Sequence, residues 1–294
     1  MLNHVPFFKD AGLNRTLFER GYITLPLLQL EEVEKLKALF YRFHNLEEVE
    51  GGLHVSSHVK DNESIASMND EIRSIFKRAI DTHIENGLTL GGTFISKPAN
   101  QIDPLHPHQD WSIVDESRFR SYTIWVPLQD TNDDNGCMYV LPYSHEYVRG
   151  YRHVTIPSVF GHIYDVVWKH MTPVHLKAGE AIVFDHAVGH ASKPNTTNQL
   201  RIAATHSLIS PNAEMRFYWN NNGTVEEYLG ENDYYNTESA RSGPGHLKKI
   251  RDLDFAIHQL DEQEFYNLAG IDSPITESEV KVNPLTNWFR RVFG

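Results

Sequence analysis

From Leu88 onward the chain is written in short β-branched and aromatic segments divided by turn signals. Candidate strands cover 90–97, 105–111, 121–127, 137–141, 173–176, 180–186, 200–209 and 214–219. Asp130 to Gly136 forms a turn cluster and Lys177-Ala178-Gly179 a tight turn. Many short strands of this kind, behind a helical lead, predict two packed sheets in a jelly roll. Ahead of them, Val33, Leu36, Phe40 and Phe43 mark an amphipathic helix over 31–44. Ile72, Ile75, Phe76, Ala79, Ile80 and Ile84 mark a second over 69–86, with Ser67 and Asp70 as its capping box. Residues 53–66 read as a polar loop, 145–172 as a long irregular insert, and 261–269 as a last helix. The predicted fold class is mostly β with flanking helices around a double-stranded β-helix, a cupin-like jelly-roll core. The expected organisation is one domain over 1–294: a helical N-terminal region over 1–88, a core over 89–219 and a loop-rich extension over 220–294.

Charge narrows the partners. With 27 basic and 39 acidic residues the formal net charge is −12. That disfavours nucleic acid, which needs a basic footprint, and anionic membrane surfaces. The single cysteine, Cys137, excludes an intrachain disulfide and points to a reducing cytoplasm. It sits in the apolar run Gly136 to Leu141, where a small core residue is expected. No run is long enough to span a bilayer. In the tail, Trp288, Phe289, Val292 and Phe293 would dock on the body or on another subunit, giving a homo-oligomer.

His108-Gln109-Asp110 carries the chemistry. Side chains two apart on a strand share a face, so an imidazole and a carboxylate can hold one divalent ion. One further histidine completes the 2-His-1-carboxylate triad that leaves metal positions open. In a chain with 17 histidines such a tripeptide also arises by chance. His186, His190 and His206 are the candidates for the third ligand. Arg201 opens the strand after His190, and its guanidinium suits a two-pronged grip on a carboxylate.

Several motifs share one order. They are Phe18 to Pro26 with its helix, Pro104 to Trp111, Trp125 to Asp130, Asn135 to His145, Lys177 to Phe184, His190 to Asn195, and Arg201. Over roughly 15–215 the chain resembles the phytanoyl-CoA dioxygenase family of iron(II)/2-oxoglutarate-dependent oxygenases. The resemblance implies that His108, Asp110 and His190 are the Fe(II) ligands and the catalytic centre. It implies Arg201 as the anchor for the far carboxylate of 2-oxoglutarate, with Ser192, Lys97 and Trp125 lining the cosubstrate pocket. Lys97 also reads as a solvated strand-end lysine, and Trp125 as plain core. His106 is left an outer role. The implied reaction uses O₂ to hydroxylate a C–H bond of a small molecule, amino-acid-like or from specialised metabolism, releasing succinate and CO₂. Trp111, Arg118 and Arg120 are the candidate substrate contacts, with Arg118 or Arg120 meeting a carboxylate and Asp115 or Glu116 an amine. The same four charged residues also read as a surface loop. Asp110 fills the position that halogenases on this fold leave to halide. Desaturation, cyclisation or epimerisation remain alternatives, as does a catalytically silent cupin-like metal-binding sensor. One departure from the family pattern is Tyr143, where glycine is usual; it would reshape the pocket entrance.

Overall fold

The computed structural model describes residues 5–45, 53–58, 61–232 and 238–272. Helix α1 (Ala11–Arg20) is opened by Asp10, whose carboxylate accepts the Leu13 N–H, and closed by Gly21 in the left-handed region. Strand β1 (Tyr22–Pro26) follows, then α2 (Leu30–Phe43), where Glu32 reaches back to the Gln29 N–H at 2.8 Å. After β2 (His54–Val55) comes α3 (Asn62–His83). It starts seven residues earlier than the sequence pattern predicts, because Asp61 caps it through Ser64 at 2.9 Å. Some of the predicted polar loop is therefore strand and helix.

The strands β3 (Leu88–Gly91), β4 (Phe94–Lys97), β5 (Leu105–His108), β6 (Ser121–Pro127) and β7 (Met138–Leu141) come next. The predicted strand 90–97 is split in two. Gly91 has φ 99°, and a Cβ at Gly92 would stand 1.8 Å from the Thr205 carbonyl oxygen. The insert holds α4 (Ser144–Tyr147) and α5 (Tyr164–Trp168). Then come β8 (Thr172–Val174), β9 (Glu180–Asp185), β10 (Gly189–Ser192) and β11 (Arg201–Ile209). The chain closes with β12 (Arg216–Asn221), β13 (Thr224–Leu229), β14 (Lys249–Asp252) and α6 (Glu262–Ala269).

The major sheet has the order β1-β9-β6-β11-β4-β2, with β3 also on β11; the minor sheet is β5-β10-β7-β8. All the pairings are antiparallel. The arrangement is the expected jelly roll. Helices α2 and α3 cover the outer face of the major sheet, burying Val33, Leu36, Phe40, Ile72 and Phe76 against Phe94, Ile124 and Val126. Each such side chain contributes about 1.5–3 kcal/mol. The insert packs Val148, Phe160, Ile163 and Val167 against Leu260 and Phe265 on the outside of the minor sheet. Beyond Trp219 the texture is more regular than expected: β12, β13 and β14 make a third sheet. Its hairpin turns at Asn222-Gly223, with φ 51° and 97°, as the Asn-Gly signal specifies. The tail with Trp288 and Phe293 lies outside the described residues.

Candidate metal and cosubstrate site

The two main sheets enclose a cavity of about 470 Å³. His108 ends β5 and His190 lies on the neighbouring β10, where the register pairs them directly. His190 therefore belongs to its own strand in the minor sheet, outside the candidate strands read from the sequence. Cross-strand pairing brings the two rings to 4.2 Å between centroids. Asp110 follows two residues after His108, and its Oδ1 is 3.5 Å from His190 Nε2. His108, Asp110 and His190 each offer one ligand atom, all within 4.8 Å of one another.

The surroundings prepare these atoms to bind a cation. His108 Nδ1 faces the His106 carbonyl at 2.8 Å, and His190 Nδ1 faces the Val188 carbonyl at 3.0 Å. A nitrogen facing a carbonyl carries the proton, so both Nε2 lone pairs are left for a metal. Burial, then His190, pushes His108 down to about 4, against the opposing pull of Asp110. Burial would raise the Asp110 carboxyl, but His190, His186, His108 and a Thr123 hydrogen bond together hold it below the usual range. Gln109 points the other way and donates to the Val148 and Ala187 carbonyls, bolting the tripeptide to the insert and to the β9–β10 turn.

Of the other two histidines weighed as ligands, neither joins the triad. His186 Nδ1 contacts the Trp111 carbonyl at 3.1 Å, and its Nε2 is 3.0 Å from Thr123 Oγ1. The Thr123 hydroxyl reaches Asp110 Oδ2 at 2.9 Å. Thr123 and His186 thus orient the carboxylate. The sequence holds a signal for Thr123: it lies two residues before Trp125 on β6 and so shares its face. His206 is buried under α3, stacked on Phe76 at 5.3 Å. His106 stacks on Tyr164 and supplies only the carbonyl behind His108.

A second part of the cavity wall is cationic. Arg201 is 2% exposed, its Nη1 reaches only the Ile95 carbonyl at 3.4 Å, and its guanidinium lies 5.4 Å from the Trp125 ring. Its Nε has no partner, and no carboxylate among the described residues pairs with it. Burial pushes it down to about 10. Ser192, two residues past His190, lines the same cavity, as does Trp125. Lys97 differs from expectation. It faces Arg201 in the β4–β11 register, but its ammonium is spent on the Ser192 and Lys193 carbonyls. It is neither solvated nor a lining residue; it ties β4 to the end of β10. Burial, with Arg201 next, lowers it to about 7.

The predicted substrate residues separate. Trp111 lines the cavity with Leu90, Ile113 and Met215. Arg118 is exposed and lies over Phe119. Arg120 is buried in an ion pair with Asp185 at 3.2 Å. Glu116 is gripped by both ends of the Arg152 guanidinium, and Asp115 caps Ser117. None of these four charges faces the cavity. Tyr143 is also off it: the side chain is 53% exposed, with φ 67°. That conformation explains why glycine suits the position; the pocket entrance is not involved.

Known proteins are similar to this chain in sequence and in fold. The phytanoyl-CoA dioxygenase (PhyH) family matches residues 19–203. A phytanoyl-CoA dioxygenase domain-containing protein 1 from Danio rerio is 29% identical over 132 residues, 42% of this chain and 45% of that one. Its homolog from Dictyostelium discoideum is 29% identical over 134 residues, 43% and 48%. The aligned stretch spans under half the length of these curated relatives. Among solved structures, the non-heme alpha ketoglutarate dependent carbocyclase SnoK superposes with TM-score 0.53 at 19% identity, over 70% of this chain and 86% of its own. The epimerase SnoN, solved with Fe3+ and alpha ketoglutarate, gives 0.51 at 19%, over the same shares. These likenesses bear out the fold, and the family match covers both sheets from α1 into β11: the chain belongs to the phytanoyl-CoA dioxygenase family.

Proposed function

We propose that this chain is an Fe(II)/2-oxoglutarate-dependent oxygenase of a small molecule, working as a single domain, with His108, Asp110 and His190 as metal ligands and Arg201 as cosubstrate anchor. The observation that carries the reading is the buried Arg201 guanidinium, facing the same cavity as the triad and lacking a carboxylate partner. A buried charge without a counter-charge is costly, and the far carboxylate of 2-oxoglutarate would relieve that cost. The donor set of two imidazoles and one carboxylate suits Fe(II) and leaves positions for cosubstrate and O₂. With these bound, the centre would oxidise a substrate C–H bond while 2-oxoglutarate is split to succinate and CO₂.

The protein's own contribution is orientation. The His106 and Val188 carbonyls aim the imidazoles, Thr123 and His186 aim Asp110, and the two sheets hold Arg201 at a fixed span from the triad. Trp125 and Ser192 shape the cosubstrate end. Beyond the triad the lining is apolar at Trp111, Leu90, Ile113 and Met215 and polar at Asn232 and Arg241, so the substrate presents an apolar body with a polar group there. A free amino acid held by Asp115, Glu116, Arg118 or Arg120 is not supported, because those groups are turned to other partners.

Hydroxylation is the favoured outcome, since Asp110 occupies the position halide would need. The fold also carries a carbocyclase and an epimerase, so cyclisation and epimerisation are the second reading. Among the described residues no helix is long and apolar enough to cross a membrane; the cytoplasmic setting is proposed on the single cysteine, Cys137. Purified protein with Fe(II), ascorbate, O₂ and 2-oxoglutarate should form succinate, and faster when a metabolite mixture contains the substrate. A silent metal-binding sensor would bind Fe(II) and form no succinate.

A further inference from the structure

Outside the cavity, a second group of ligating side chains converges on the edge of the minor sheet. Asp133 lies in the turn before β7, Cys137 immediately precedes β7, and His175 immediately follows β8. One ligand atom from each lies within 4.8 Å of the other two. The β7–β8 register pairs Met138 with Val174, so Cys137 and His175 stand one step further along the same antiparallel ladder. We propose that Asp133, Cys137 and His175 form a second metal site, for a thiophilic divalent cation of the zinc class, clamping the 130–137 turn to β8.

Three features go beyond proximity. Asp133 Oδ1 accepts from the Tyr139 hydroxyl and from Lys193 Nζ at 3.4 Å. This turns Oδ2 toward His175 Nε2, 3.2 Å away. An oriented carboxylate with one oxygen presented to an imidazole is how outer partners prepare a metal ligand. The Cys137 sulfur is buried and faces the Val174 amide, next to His175 in sequence; burial and then Asp133 push its thiol up to about 12, so a metal would bind by displacing the proton. Thiolate, imidazole and carboxylate together suit zinc, with water as fourth ligand, and suit magnesium or calcium poorly. An exposed Asp–His contact alone would be worth little; the buried thiol beside it gives the cluster its metal preference. Gly136 lines the main cavity, so a clamp at Cys137 would also stiffen that wall.

The test is Co(II) titration followed by absorption. The cavity triad contains no sulfur, so a sulfur-to-cobalt charge-transfer band in the near ultraviolet reports only the second site. The band should appear in the wild type, persist in His108→Ala, vanish in Cys137→Ser and disappear when Zn(II) is added. His175→Ala and Asp133→Asn change half-exposed side chains and should leave the metal-free melting temperature unchanged. Each removes a ligand and should weaken Co(II) binding at this site by at least the roughly 10–100-fold that loss of an outer partner costs. Absence of the band in the wild type overturns the proposal. So does a band whose Co(II) dependence is unchanged in both His175→Ala and Asp133→Asn. Neither result bears on the Fe(II) reading of the cavity.

Discussion

The two ends of the cavity are built differently. At the metal and cosubstrate end, His108, His190, Ser192, Trp125 and Arg201 sit on paired strands, where register sets both position and facing. At the proposed substrate end, Trp111 to Arg120 is a loop that closes on itself and on the insert. Arg120 turns to Asp185, Glu116 to Arg152, Asp115 to Ser117. Chemistry on strands can be placed by counting residues. Charges on a loop find their nearest partner, and sequence does not say which that is.

Substitutions can break or sharpen this contrast. The largest effect is expected at Asp110. Asp110→Ala removes an anionic ligand, and Fe(II)-dependent succinate formation should fall to background; full activity would refute the triad. Next is Arg201→Met, which leaves the far carboxylate of 2-oxoglutarate without its cation. Calorimetry should show affinity weakened by about 2–5 kcal/mol, with Fe(II) binding intact. The loop should respond in stability instead. Arg120→Met strands Asp185 in the interior and should cost about 3–5 kcal/mol in a denaturant melt, with 2-oxoglutarate affinity unchanged. Thr123→Val removes one hydrogen bond to Asp110 and should weaken Fe(II) binding by about 10–100-fold. Arg118→Ala should change stability by no more than about 0.5 kcal/mol and leave turnover as it is. A marked loss of turnover in Arg118→Ala would restore the loop to the substrate site.

The jelly roll is legible in the sequence because short β-branched and aromatic runs bounded by turn signals mark 121–127, 180–186 and 200–209 whatever packs on them. The division of 90–97 into two strands is not, because the break at Gly91-Gly92 answers to the Thr205 carbonyl, a contact 113 positions away in the chain. The α3 start is obscured because Asp61 competes with the equally plausible Ser67–Asp70 pair. The hairpin at Asn222-Gly223 is signalled but hidden among polar neighbours. At the site, spacing points to His108, Asp110, His190 and Arg201. The turn of Lys97 toward backbone carbonyls, the contact of His186 with Thr123 and the Arg120–Asp185 pair are tertiary facts with no local signature, whereas the facing of Thr123 follows from its spacing to Trp125.

The central claim is that the His-Asp-His centre and Arg201 bind one molecule of 2-oxoglutarate between them. Anaerobic titration of the Fe(II)-loaded protein with 2-oxoglutarate tests it directly, through the visible charge-transfer band of the chelated cosubstrate. The account predicts a saturable band in the wild type, shifted to much higher 2-oxoglutarate concentration in Arg201→Met. A wild type that binds Fe(II) but shows no band, or an Arg201→Met protein that saturates at the wild-type concentration, would contradict it.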